Sequence, residues 1–142
     1  MLGKLVQNLA KRGCITIDKR ASLFELADLL STKKIGAVVI VDENKKPIGI
    51  VSERDIVRHL HKSNEQFSEK SVSDIMSTKL ITCGLSYSSS ELMELMTKHK
   101  VRHIPIVNNG KLIGMVTIGD VVNRLIEIYE TETEHLKKYI NS

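Results

Sequence analysis

The sequence predicts an α/β (α+β) protein: two β-α-β-β-α repeats packed as a pseudo-symmetric pair, with helices flanking them at the N- and C-termini. Three observations carry this. The chain matches itself, residues 16–60 aligning with residues 82–125. Within each copy, apolar residues at helical spacing alternate with short β-branched runs. One copy, about 45 to 50 residues, is too small to bury an adequate core alone, whereas 142 residues suffice for two halves that pack together.

The repeat register is specific. Thr16 matches Thr82, Ser22 matches Ser88, Glu25 matches Glu91, and Leu26 matches Leu92, all at an offset of 66. Past the turn the offset becomes 65, pairing Gly49 with Gly114, Ser52 with Thr117, Asp55 with Asp120 and Val57 with Val122. The lost residue falls in a surface turn, where a length change is tolerated best.

Each element has a local reason. MLGKLVQNLAKRG lacks the apolar core and small-residue cleavage site of a signal peptide and reads as a short amphipathic helix. CITI and ITCG are first strands, each with a cysteine suited to burial. Ser22-x-x-Glu25 and Ser88-x-x-Glu91 are capping boxes, followed by Leu23, Leu26, Ala27 and Leu30 in one copy and Leu92, Leu95 and Met96 in the other. AVVIV and IPIV are strands buried on both faces. DENKKP and NNGK then turn the chain, Asn and Gly tolerating the positive φ of a tight hairpin, into PIGIVS and LIGMVT. A closing helix follows, RDIVRHLHK in the first copy and a longer one, about residues 119 to 139, in the second. The expected division is an N-terminal helix over 1–14, repeats over 15–63 and 80–126, a linker over 64–79 and a helical extension over 127–142.

Composition excludes several function classes. No apolar run approaches the roughly 18 to 20 residues that cross a bilayer, and a cytoplasmic location with no membrane contact is the expectation. Two cysteines without CxxC spacing make neither a disulfide framework nor a zinc site, and no metal ligand set is expected. A net charge of +4 invites nucleic acid as a partner, but the cations are scattered and aromatics are 4%, so a base-stacking surface is poorly supplied. No nucleophile elbow, phosphate-binding glycine loop or paired carboxylates point to an enzyme.

The stretches TIDKRASLFELADLLSTKKIGAVVIVDENKKPIGIVSERDIVRHL and TCGLSYSSSELMELMTKHKVRHIPIVNNGKLIGMVTIGDVV resemble a tandem pair of CBS (cystathionine beta-synthase) domains. The resemblance covers about residues 6 to 139, and SERD, RHIP and IGDVV are similar to the stand-alone two-CBS proteins of bacteria. It implies a non-catalytic regulatory or sensing module. The ligands it implies are adenosine-containing: AMP, ADP, ATP, NAD(H) or S-adenosylmethionine, bound in clefts between the repeats. It also implies a homodimer, and the residues that match the family's ligand motif are Ser52, Asp55, Thr117 and Asp120.

Physical chemistry supports those positions. An Asp in the first turn of a helix is held charged by local amides and the positive end of the helix dipole. Such an acceptor suits the vicinal hydroxyls of a ribose, with Ser52 or Thr117 at the same mouth. An N-terminal helix cap uses the same residue types, and both duties are open at this point. Phosphate needs cations, and Arg54, Arg58, Arg102 and His103 are the candidates. They are distributed crosswise: Glu53-Arg54 in the first copy stands where the second has Ile118-Gly119, and Gly36-Ala37 where the second has Arg102-His103. Convergence of Arg54 with Arg102 and His103 on one cleft predicts that the two clefts do unequal work. An adenine slot is expected among Ile15, Thr16, Ile17, Gly36, Ala37, Ile50, Thr82, Ile104, Pro105 and Met115, the apolar members of which also suit the core. Two other functions remain open, a nucleic-acid-binding accessory protein and a protein-interaction subunit without ligand. Apolar residues on the last helix (Leu125, Ile128, Tyr129, Leu136, Tyr139, Ile140) suit a homodimer contact or packing on the N-terminal helix residues Leu2, Leu5, Val6 and Leu9.

Overall fold

The computed structural model describes residues 4–62 and 67–141. Leu2 of the N-terminal segment, and residues 63–66 where the first repeat meets the linker, lie outside the described residues. In chain order the elements are α1 (Lys4–Arg12), β1 (Thr16–Ile17), α2 (Leu23–Lys33), β2 (Ala37–Val41), β3 (Pro47–Ser52) and α3 (Glu53–Lys62). A 3₁₀ turn (Phe67–Glu69) and α4 (Val72–Ile75) form the connection, and α5 (Ser89–His99), β4 (His103–Asn108), β5 (Lys111–Thr117) and α6 (Ile118–Asn141) complete the second repeat. Among the described residues no helix is long and apolar enough to cross a membrane.

The two repeats fold alike down to their irregularities. Ser22 Oγ accepts from the Glu25 amide at 3.0 Å and Ser88 Oγ from the Glu91 amide at 3.1 Å. The reciprocal half of the box, Glu91 Oε1 accepting from the Ser88 amide at 3.2 Å, is formed at the second helix. At the first, the expected box is only half made, and the Ser22 backbone instead bridges to Ser71 of the connection. Both helices end on a lysine in the left-handed region, Lys34 and Lys100, each at φ 54°. The following amides return to the last turn, Ile35 to the Leu30 carbonyl and Val101 to that of Met96, each at 3.1 Å.

The hairpins β2–β3 and β4–β5 are antiparallel, and each shifts register at the same point, between Ile40 and Val41 and between Ile106 and Val107. Asn109 and Gly110, at φ 53° and 76°, turn the second hairpin as the NNG sequence predicts. In the first, the longer turn is organised by Asp42, whose Oδ1 accepts from the amides of Asn44 (2.8 Å) and Lys46 (2.9 Å). β1 joins β2 in parallel, so the first sheet has three strands in the order β1-β2-β3. The expected first strand of the second repeat is not a strand. It shrinks to a single parallel bridge, Cys83 to Ile106, made by Cys83 N–H to the Pro105 carbonyl (3.0 Å) and Val107 N–H to the Cys83 carbonyl (2.9 Å). Gly84 and a turn follow at once, which leaves no room for a longer ladder.

Two apolar cores result, and each is completed by the segment that precedes the other repeat. Leu23, Leu26, Val38, Ile40 and Val51 form the first core with Phe67, Val72 and Ile75 from the connection. Leu92, Met96, Ile104, Ile106, Val116 and Val121 form the second with Val6 and Leu9 of α1. Full burial of each Leu or Val stabilises by about 1.5 to 3 kcal/mol, so these crossed segments tie the two halves into one folding unit. The strand glycines show how close the crossing is. A Cβ on Gly114 would lie 3.2 Å from the Leu9 carbonyl oxygen and the Ala10 Cα, and one on Gly49 would overlap the Met76 side chain.

Candidate functional site

The candidate site is built on the two strand-to-helix junctions. At the first, β3 ends at Ser52 and α3 starts at Glu53. Asp55 Oδ2 accepts from the Ser52 amide at 2.8 Å and from its hydroxyl at 3.1 Å, and the Asp55 amide returns a bond to Ser52 Oγ at 3.3 Å. This is a reciprocal cap on the first turn. It uses Oδ2 alone, and Oδ1 of the half-buried Asp55 takes no part in it.

The second junction repeats the cap. Asp120 Oδ2 accepts from the Thr117 amide at 2.9 Å, and the Asp120 amide donates to Thr117 Oγ1 at 3.2 Å. Here the carboxylate has a further partner, Arg12 at the end of α1. Its Nη1 reaches Oδ1 at 3.3 Å, while Nη2 bonds Oδ2 at 3.1 Å and the Met115 carbonyl at 3.1 Å. Burial pushes the Asp120 carboxyl up, but the bonds from Arg12 and Thr117 outweigh it and hold it below the usual carboxylate range. Arg12 was not among the residues the sequence singles out. Its partner is 108 positions away, and no local pattern marks it.

The two junctions are linked through His103. The strand register sets Ala37 opposite Ser52 and His103 opposite Thr117, and the backbone bonds Glu53 N–H to Gly36 C=O (3.0 Å) and Ile118 N–H to Arg102 C=O (2.9 Å) are equivalents. The His103 ring then crosses to the first repeat. A Cβ on Gly36 would lie 3.3 Å from its Cε1 and Nε2 and 3.1 Å from Glu53 Oε1. Burial holds the His103 imidazole below its ordinary value, with Glu53 pulling the other way, Arg102 adding to the decrease and Asp120 opposing it. Beside this contact, Arg54 from the first repeat and Arg102 from the second line one open pocket of about 330 Å³, together with Lys100, Met93, Met96 and Ile118. Lys100 and Met93 are further residues that the sequence reading passed over, and Met96 was read there as a core residue. Arg58 is exposed on α3 and does not line that pocket.

The residues expected to form an adenine slot are dispersed by depth. Ile15 and Thr16 are exposed, Ile17 and Thr82 half-buried, and Ala37, Pro105 and Met115 buried. Ile104 has no exposed surface and packs in the second core. Ile50 is held by the connection, its amide bonding the Ser77 carbonyl at 3.0 Å and its carbonyl accepting from the Ser77 amide at 2.8 Å. Both thiols are pushed up by burial, Cys14 to about 11 and Cys83 to about 12, which keeps them protonated and unreactive near neutral pH. Among the described residues no cluster of three or more His, Cys, Asp or Glu side chains is arranged to hold a metal ion.

Comparison with known proteins assigns the architecture. A model of the CBS domain matches twice, over residues 6–62 and 72–127. The chain is 36% identical over 135 residues to the uncharacterized protein MK0525 of Methanopyrus kandleri, covering 94% of this chain and 69% of the relative. It is 33% identical to CBSX3, mitochondrial, of Arabidopsis thaliana, covering 89% of this chain and 62% of that protein's length. Among solved structures, the CBS-domain containing protein ATU1752 from Agrobacterium tumefaciens superposes with a TM-score of 0.78 at 34% identity, over 87% of this chain and 97% of that one. CBSX2 in complex with AMP gives 0.73 at 26% identity, over 87% and 97%. The CBS domain pair of MJ0100, in complex with 5′-methylthioadenosine and S-adenosyl-L-methionine, gives 0.72 at 29%, over 80% and 92%. With two matches that together span most of its residues, the chain belongs to the CBS-domain family, as a tandem pair.

Proposed function

We propose that this chain is a non-catalytic regulatory module that binds an adenosine-containing ligand between its two repeats. The observation that carries the reading is the Asp55 junction. Its carboxylate is oriented by a cap made through Oδ2, which leaves Oδ1 available as an acceptor for the ribose hydroxyls. Ser52 stands at the same mouth, and Arg54, Lys100 and Arg102 supply positive charge for a phosphate in the adjoining pocket. The likeness to pairs solved with AMP and with S-adenosyl-L-methionine supports adenosine as the common ligand element. Asp120 and Thr117 form the matching grip in the second repeat, with His103 between the two.

A thermal-shift panel of AMP, ADP, ATP, NADH and S-adenosylmethionine, with and without Mg²⁺, tests the proposal. Ligand at about 100 times Kd adds roughly 2.7 kcal/mol of stability, which raises Tm by about 8 °C for a chain of this size. No shift with any of them at millimolar concentration sinks it.

The chain is also proposed to self-associate through its closing helices. Val57 and Leu60 on α3 and Ile126, Tyr129, Leu136 and Ile140 on α6 are exposed large apolar side chains. Sedimentation analysis tests this, and a monomer at micromolar concentration contradicts it.

A further inference from the structure

The two junctions share the cap, the helix dipole and the half-buried carboxylate, yet differ in what already holds that carboxylate. Among the described residues, Asp55 is bonded by its own Ser52, through one oxygen. Both oxygens of Asp120 accept from one guanidinium, at 3.3 and 3.1 Å, and the Met115 carbonyl anchors the same Nη2 at 3.1 Å. A planar guanidinium clasping a carboxylate through two N–H bonds uses the acceptor geometry that a vicinal diol also requires. A ribose reaching Asp120 must therefore displace Arg12, whereas one reaching Asp55 displaces no side chain of the described residues. The Arg12 side chain is 52% exposed and Asp120 18%, so the clasp is weak enough for a bound molecule to open it.

We infer that Arg12 is a built-in competitor for the second junction, making Asp55 the tighter ligand site and Asp120 a weaker one that opens only when α1 releases its arginine. The inference rests on the proposed adenosine-ligand function. It also supplies a route for the ligand to act on the fold: α1 contributes Val6 and Leu9 to the second core, so filling the Asp120 site loosens a segment on which that core depends.

Calorimetric titration of AMP and of adenosine into Asp55→Ala and into the double variant Asp55→Ala/Arg12→Gln isolates the second junction. Removing the competitor is expected to tighten both ligands about two- to fivefold at that site, matching the loss of a partly exposed ion pair. Arg12→Lys in the same background, which keeps the charge but loses the fork, is expected to fall between. Unchanged affinity, or no binding by the double variant while the wild type binds, overturns the inference. So does weaker AMP binding with unchanged adenosine binding, which would make Arg12 a phosphate contact. A wild-type chain that binds neither ligand removes the underlying functional reading instead, and Asp55→Asn with circular dichroism substitutes if Asp55→Ala fails to fold.

Discussion

Arg12 and Asp120 join the first helix to the last across 108 residues, their side chains meeting at 3.1 Å. The pair is partly exposed, so Arg12→Gln should cost only about 1 kcal/mol or less in urea unfolding near neutral pH. Its pH dependence is more diagnostic. Because the Asp120 carboxyl is held below its ordinary 3.8, its contribution is complete above that value and disappears as pH falls through the folded-state pKa. The variant should show a shallower acid limb than the wild type, and identical limbs would contradict the assignment.

His103 gives a second pH signature at a higher range. Burial holds its imidazole below 6.5, so the unfolded chain takes up the proton first. Stability should therefore be complete above pH 6.5 and decline as pH falls through the folded-state pKa. His103→Gln should remove that slope. A wild-type profile that is flat from pH 7 to 5 would contradict the half-buried, neutral ring.

The strand glycines predict a graded response. Gly114→Ala presses a Cβ against the backbone of α1, while Gly49→Ala meets the flexible Met76 side chain. Overpacking of this kind costs about 1 to 3 kcal/mol, and Gly114→Ala should sit at the upper end. Chemical denaturation that ranks the two in the opposite order would contradict the crossed packing.

Ser89 stands at the start of α5 where the first repeat has Leu23. It is 1% exposed, and among the described residues its hydroxyl makes no hydrogen bond. Deleting an unsatisfied buried hydroxyl relieves a desolvation cost, so Ser89→Ala should stabilise the protein by about 1 kcal/mol. A loss of stability of that size would instead show that the hydroxyl has a partner.

Much of this was legible in the sequence because it is local. The NNG turn, the Ser88-x-x-Glu91 box and the buried AVVIV run declare themselves within a few residues, and the repeat offset pairs Ser52 with Thr117 and Asp55 with Asp120. Lys34 and Lys100 were not readable as left-handed caps, since lysine carries no signal for positive φ. The missing strand around Cys83 gives way to a turn that starts at Gly84, which the run ITC masks. The partners that distinguish the junctions, Arg12 on Asp120 and His103 beside Glu53 and Gly36, come from long-range crossing, which neither composition nor spacing encodes.

The most direct test of the central claim compares AMP with its 2′,3′-dideoxy analogue by calorimetry on the wild-type chain. A hydrogen bond to a charged carboxylate contributes about 1.5 to 3 kcal/mol, so the Asp55 grip predicts that removing the ribose hydroxyls weakens binding by at least about tenfold. In Asp55→Ala the difference should shrink to what the weaker Asp120 junction alone supplies. Equal affinity for the two ligands in the wild type would contradict a ribose grip at the strand-to-helix junction.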